Sequence, residues 1–178
     1  RVVTIAKETL ISNDAHRMGN ENAAAYLVEF SDFQCPACAA FAPAVESLTN
    51  KYKDQFLFVY RHYPLPQYQY AKPAAYAAEA AALQGKFWEA VVVLFKNQDS
   101  FSDDFFSTQF IQLLKLNTSQ YTKDIDDPAI MEKIERDLSE GQQLGLRSTP
   151  TFFLNGVLLT NLSGPNDLVK AVETAIKQ

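Results

Sequence analysis

The sequence predicts an α/β fold in which a strand–helix–strand unit and a terminal hairpin–helix unit are separated by a long helical block. Three observations carry that prediction. Residues 24–30 and 56–60 are short apolar runs bounded by polar or proline-rich turns, which is how buried strands read. Between them, Phe41, Val45, Leu48 and Tyr52 recur at three- and four-residue spacing, placing one apolar face along a helix over residues 36–51. Residues 151–154 and 157–159 flank Asn155-Gly156, a dipeptide suited to the left-handed backbone of a two-residue hairpin turn.

The remaining elements follow in order. Residues 2–5 suit a short strand, and residues 12–22 are polar and loop-like. Pro36 fits the first helical position, where a missing N–H costs nothing, whereas Pro43 falls inside the helix and predicts a kink. Pro64 and Pro66 end the second strand, and the helical crossover sets the two strands parallel. An alanine-rich helix follows from Pro73 and stops at Gly85. Residues 87–95 and 103–116 are further amphipathic segments. Residues 128–144 form another, opened by Asp126 or Asp127 as a cap and closed near Gly145. Residues 167–177 make the closing helix, capped by Ser163 or Asn166. The core scaffold then comprises residues 24–66 and 147–178, with a helical insertion over 67–146, all in one unit.

Composition excludes several classes of function. With 47% apolar and 21% charged residues, the 178-residue chain is an ordinary globular sequence that can bury a core. The net charge of −5 and the scattered Lys and Arg lack the basic face that nucleic acid needs. No apolar run approaches the roughly 20 residues of a bilayer-spanning helix. The first residue is Arg1, so a leader or anchor removed upstream is an expectation.

The chemistry lies in Cys35-Pro36-Ala37-Cys38, which opens a helix directly after a strand. At a helix N-terminus, unpaired N–H groups and the positive end of the dipole favour a thiolate, the form that attacks disulfides. Cys38 is near enough on the same side to pair with Cys35. One sulfur is expected to be exposed and the other shielded, making Cys35 the attacking or attacked sulfur and Cys38 the resolving one. A zinc site would need two further ligands, and the sequence holds only two cysteines with His16 and His62. A purely structural disulfide gains little from so short a loop.

Two further positions draw notice. Glu29 is a carboxylate in an otherwise apolar strand; buried, it would have a raised pKa and could exchange the proton of Cys38, while on an edge it would simply face solvent. Pro150 precedes a strand in Ser148-Thr149-Pro150-Thr151; a cis bond there would free backbone groups for strand-like pairing with a substrate, though the local sequence leaves cis and trans open. Asp124, Asp126 and Asp127 lack the spaced ligands of a calcium loop and read as helix capping. The Asn-x-Ser/Thr matches at Asn117 and Asn161 carry no argument.

These pieces resemble the DsbA-like thiol–disulfide oxidoreductases, in their anchored or secreted bacterial branch. The resemblance rests on Val28-Glu29-Phe30-Ser31-Asp32-Phe33-Gln34-Cys35-Pro36-Ala37-Cys38, on Arg61-His62-Tyr63-Pro64-Leu65, on the stretch from Ala77 to Trp88, and on residues 144–156, which come in the family's order. It implies a thioredoxin fold with an inserted helical domain. It also implies Cys35 as nucleophile, Cys38 as resolving thiol, Glu29 as the buried acid and Pro150 as a cis-proline after Thr149.

The implied activity is oxidation of dithiols in reduced, unfolded or exported proteins, outside the cytoplasm, with reoxidation by a quinone-linked membrane partner. Thr149, Pro36, Ala37, Phe33 and Phe152 would form the substrate surface. No cofactor or metal is expected, and with about two dozen residues ahead of the first strand, too few for a dimerisation domain, a monomer is. A reductase or isomerase using the same cysteines, or a redox-inert peptide-binding module, are the alternatives. The chain departs from the best-known members in having Ala37 where they have His, which predicts a less depressed Cys35 pKa and a less oxidising enzyme. It also departs in the segment Gln67-Tyr68-Gln69-Tyr70, where relatives often carry His.

Overall fold

The structure, a computed structural model, describes residues 3–178. The chain divides into two units: a sheet unit of residues 1–31, 40–61 and 150–178, and a helical unit of residues 32–39 and 62–149.

Among the described residues the sheet unit holds five strands in the order β1-β3-β2-β4-β5. The strands are β1 (His16–Gly19), β2 (Ala25–Ser31), β3 (Phe56–His62), β4 (Thr151–Leu154) and β5 (Val157–Leu158). β2 and β3 are buried along their whole length, which is why both read as continuous apolar runs. They are neighbours in the sheet, joined through helix α2 (Pro36–Lys51), which contains Pro43. β4 pairs antiparallel with β2, setting Glu29 opposite Phe152, and pairs with β5 across the Asn155-Gly156 turn. Both turn residues have positive φ, 50° and 83°, the left-handed backbone such a turn needs. Helix α8 (Pro165–Ile176) buries Leu168 and Val172 completely and packs on β2 and β4.

Several expectations change here. Residues 12–22 contain strand β1, antiparallel to β3, preceded by a short helix α1 (Lys7–Leu10). Its Met18 and Arg17 are only half-buried, so no apolar alternation announced it. Of the strand expected over residues 2–5, Val2 lies outside the described residues, while Thr4 makes a bridge to Val157. Helix α8 begins two residues before the expected start, with Pro165 in its first turn and Gly164 as an N-cap that offers no side chain. Ser163 donates its backbone N–H to Asp167 Oδ2 at 2.9 Å rather than capping.

The helical unit contains α3 (Ala71–Ala82), α4 (Phe87–Lys96), α5 (Phe110–Leu114), α6 (Thr118–Asp124) and α7 (Pro128–Gln143). Helix α3 is lined with buried alanines, so α4, α6 and α7 can approach it closely. A π-helical turn at Phe105–Gln109 leads into α5 and buries Phe105 and Phe106. Asp127 caps α7 by accepting from Ala129 N at 2.9 Å. Helix α6 lies in a stretch of the helical block for which the sequence gives no separate element: Asn117 accepts from Gln120 N at 2.9 Å as its cap. The Asp124 carboxylate accepts both its bonds from Gln120 Nε2, at 2.7 Å.

Candidate active site

Helix α2 starts one residue after Cys35, so Cys35 occupies the N-cap position and its carbonyl accepts from Ala39 N at 3.2 Å. Both cysteines are free thiols. Cys35 retains 4% of its surface and Cys38 none, so the difference lies in the expected direction but Cys35 is not openly exposed. Its neighbours Pro36 and Ala37 are exposed and form the accessible rim beside the sulfur.

The Cys35 thiol is lowered to about 5. A hydrogen bond from Cys38 contributes most; burial opposes it; Thr149 and the backbone N–H groups of Cys38 and Ala37 add to the depression. Those two N–H groups are the orphan donors of the first helical turn, so helix placement acts as local structure predicts. Ala37, at the third position of the motif, contributes only its backbone N–H and offers no side-chain donor to the sulfur.

Thr149 comes from the loop that follows α7. Cys35 Sγ donates to its carbonyl at 3.4 Å, while its own hydroxyl is buried and has no partner in the dithiol. When Cys35 loses its proton the sulfur becomes an acceptor, and that hydroxyl is placed to donate to it.

Asp32 is the acid beside Cys35. It is 2% exposed, and its carboxylate accepts from Gln34 N and Leu65 N, both at 2.7 Å. Burial pushes its pKa up to about 6 against those two bonds, and the charge of Cys35 pushes it the same way. Its carbonyl accepts from Cys35 N at 3.1 Å. Gln98 completes the frame: its Nε2 donates to the carbonyls of Phe33 and Cys35 at 2.7 and 3.0 Å.

A family model described as thioredoxin matches residues 12–174. The chain belongs to that family. Within it, the fold is that of the DsbA-like thiol–disulfide oxidoreductases. Among solved structures the chain is similar to a thioredoxin-like oxidoreductase from Silicibacter pomeroyi, with 26% identity, 98% of this chain and 99% of that chain covered, and a TM-score of 0.80. It shares its fold with the thiol–disulfide exchange protein alpha-DsbA2 of Wolbachia pipientis, at 22% identity over 94% of this chain and 90% of that one, with a TM-score of 0.83. BdbD of Bacillus subtilis has the same fold, at 18% identity over 99% and 98% of the two chains, with a TM-score of 0.79. A curated relative, the Na(+)/H(+) antiporter NhaA 1 of Mycolicibacterium vanbaalenii, is 34% identical over 166 residues, covering 89% of this chain and 26% of that protein. The chain spans about a quarter of the length of the curated relatives it matches.

In this thioredoxin-family chain the other expected residues separate clearly. Glu29 is buried, at 4% exposed, in the middle of β2. Phe33 and Phe152 do not form a substrate surface, because each is 1% exposed. The Phe33 ring packs on Phe95 and His62 at 5.2 and 6.0 Å, and the Phe152 ring packs on Phe41 at 5.3 Å. His62 is structural: its Nε2 meets Glu79 Oε1 at 2.7 Å, and Lys133 Nζ donates to the other Glu79 oxygen at 2.9 Å. Asp32 and Gln98 are residues to which sequence reasoning gave no role. Asp32 left a signal, since an Asp two residues before an N–H it can accept from is an Asx turn. Gln98 left none, lying 63 residues from Cys35.

Proposed function

We propose that the chain oxidises dithiols of protein substrates to disulfides through Cys35 and Cys38. The observation that carries this reading is the depressed Cys35 thiol at the start of α2, with Cys38 wholly buried behind it. A stabilised thiolate favours the reduced enzyme, and an enzyme that prefers to be reduced is an oxidant.

In the proposed cycle a substrate thiolate attacks Cys35 of the Cys35–Cys38 disulfide. That bond breaks, Cys38 leaves and takes up a proton, and a mixed disulfide forms at Cys35. A second substrate thiolate then attacks the substrate sulfur, closing the substrate disulfide and releasing Cys35 as thiolate. Two electrons pass from the substrate to the enzyme. Glu29, buried in β2, is proposed to carry the proton of Cys38, and Asp32, with a pKa about 6, serves proton exchange on the Cys35 side. Pro36, Ala37 and Thr149 form the proposed substrate contact. Pro150, with a cis bond after Thr149, begins the stretch proposed to pair with the substrate backbone.

The proposed setting is outside the cytoplasm, with a quinone-linked membrane partner for reoxidation and the chain acting as a monomer. A structure of the same fold, from Salmonella enterica serovar Typhimurium, is described as a periplasmic thioredoxin-like protein. Among the described residues no helix is long and apolar enough to cross a membrane. The chain matches only about a quarter of each antiporter-named relative, and ion transport is not proposed for it.

Equilibration with glutathione buffers tests the direction. A reduction potential between about −120 and −230 mV supports oxidation of substrates, whereas one near −270 mV makes the chain a reductase.

A further inference from the structure

The carbonyls on either side of Gln34 converge on one distant side chain. Gln98 Nε2 donates to the Phe33 carbonyl at 2.7 Å and to the Cys35 carbonyl at 3.0 Å. A primary amide has two N–H donors, so both are spent on the start of the redox motif. Gln98 lies 63 residues from Cys35, in the 3₁₀ turn Gln98–Ser100 that follows α4. Three bonds fix that turn. Asn97 Nδ2 donates to the Val93 carbonyl at 2.7 Å, Ser100 N to the Asn97 carbonyl at 2.9 Å, and Phe101 N to the Gln98 carbonyl at 3.2 Å.

The two carbonyls set the backbone direction of Gln34 and Cys35. With Cys35 as the N-cap of α2, the first three helical residues are Pro36, Ala37 and Cys38. An N-cap side chain reaches the N–H groups of the second and third of these, here Ala37 and Cys38. Whether the sulfur faces them follows from the same few dihedrals that aim the carbonyls. Asp32 holds the N–H side of this segment: its carbonyl accepts from Cys35 N at 3.1 Å and its carboxylate from Gln34 N at 2.7 Å. Gln98 holds the carbonyl side, sharing the Cys35 oxygen with Ala39 N at 3.2 Å. Its amide hydrogens also offset partial negative charge on the Cys35 carbonyl, which opposes a thiolate on the same residue.

We propose that Gln98 is a positioning residue for disulfide exchange: by holding the Phe33 and Cys35 carbonyls it keeps the Cys35 sulfur turned toward the first-turn N–H groups, so that it departs as a thiolate. This rests on the exchange reaction proposed above. In the step concerned, the substrate's second thiolate forms the new S–S bond, the Cys35–substrate S–S bond breaks, and the electron pair stays on Cys35. Gln98 exchanges no proton and acts only through the backbone. The titratable groups beside the sulfur are Asp32 and Cys38, and Gln98 bonds to neither.

The test is Gln98→Met, which keeps the length of the side chain and removes both donors. Gln98→Asn, a shorter amide that spans one carbonyl at most, is the graded variant. Thiolate absorbance titrated against pH reads the Cys35 pKa directly. The expected result in Gln98→Met is a rise of about half a unit, about a threefold loss of thiolate at a pH below both values, with Gln98→Asn between it and the parent. At pH 7 the equilibrium with glutathione should shift about threefold toward the disulfide form, about 15 mV less oxidising. Asn97→Ala separates positioning from a loosened turn: it removes the bond to Val93, should lower Tm, and should leave the titration where it is. A Gln98→Met titration and glutathione equilibrium that superimpose on the parent would overturn the proposal while leaving exchange by the parent intact. So would an Asn97→Ala shift as large as that of Gln98→Met. If Gln98→Met does not fold, Gln98→Asn carries the same expectation and the same refutation. A parent whose Cys35 titrates at the ordinary thiol value and exchanges no disulfide would overturn the underlying reading instead.

Discussion

Cys35 and Thr149 lie 114 residues apart in sequence, yet the Cys35 thiol donates to the Thr149 carbonyl at 3.4 Å. The same threonine holds a buried hydroxyl with no partner while Cys35 is protonated. A buried hydroxyl left unsatisfied costs about 1–3 kcal/mol. Ionisation of Cys35 relieves that cost, so the two residues form a device that makes the reduced thiolate state the comfortable one.

Thr149→Val removes the hydroxyl and keeps the shape of the side chain. The Cys35 pKa should rise above its value of about 5, and the reduction potential should become less oxidising. Overall stability of the protonated dithiol should hold or improve, because an orphan polar group has been removed. An unchanged thiolate titration would show that the Thr149 hydroxyl takes no part.

The reduced protein should be stabilised by its thiolate in a defined pH window. The folded pKa, about 5, lies below the ordinary thiol value of 9.0, so the contribution is fully present above about 9 and is lost as pH falls through about 5. Urea unfolding of the reduced protein across that range should show the fall, and Cys35→Ser should abolish it together with exchange activity.

Asp32 runs the other way. Its carboxyl is raised from 3.8 to about 6, so its contribution is present below about 3.8 and is lost as pH rises through about 6. Asp32→Asn should therefore lower the Cys35 pKa by removing a neighbouring negative charge. It should also cost about 1–3 kcal/mol in folding stability, since an amide cannot accept from both Gln34 N and Leu65 N through two oxygens. Paired thiol titration and urea unfolding check both halves; a Cys35 pKa that stays or rises would contradict the coupling.

Gly156→Ala probes the fold apart from the chemistry. The residue has φ of 83°, and a Cβ there would meet the Ile5 carbonyl at 2.4 Å and Thr4 Cγ2 at 2.8 Å. Strain and clash together should cost at least about 1–2 kcal/mol, lowering Tm by several degrees. The Cys35 titration should be unmoved, because the turn lies at the far end of β4 from Thr149.

The sequence by itself determined the elements whose cause is local. Apolar runs as short as β2 and β3 leave few alternatives, Asn155-Gly156 accepts left-handed backbone at both positions, and Asp127 before Pro128 caps a helix wherever it occurs. The Cys35–Cys38 motif was legible for the same reason: a Cys-x-x-Cys at a helix start has its thiol pKa lowered by the turn it begins. Strand β1 and helix α6 were not legible, because a half-buried edge strand and a seven-residue helix have weak periodicity and are held by partners elsewhere. Only the tertiary structure decided what surrounds the sulfur. Phe33 looked like a substrate contact because it adjoins Cys35, but packing on Phe95 and His62 takes it out of reach. Asp32, Thr149 and Gln98 come from three stretches of chain, and each meets the motif through space. Distances of that kind are set by how helices and sheet pack, which depends on many side chains at once and leaves no mark on the spacing of any few residues.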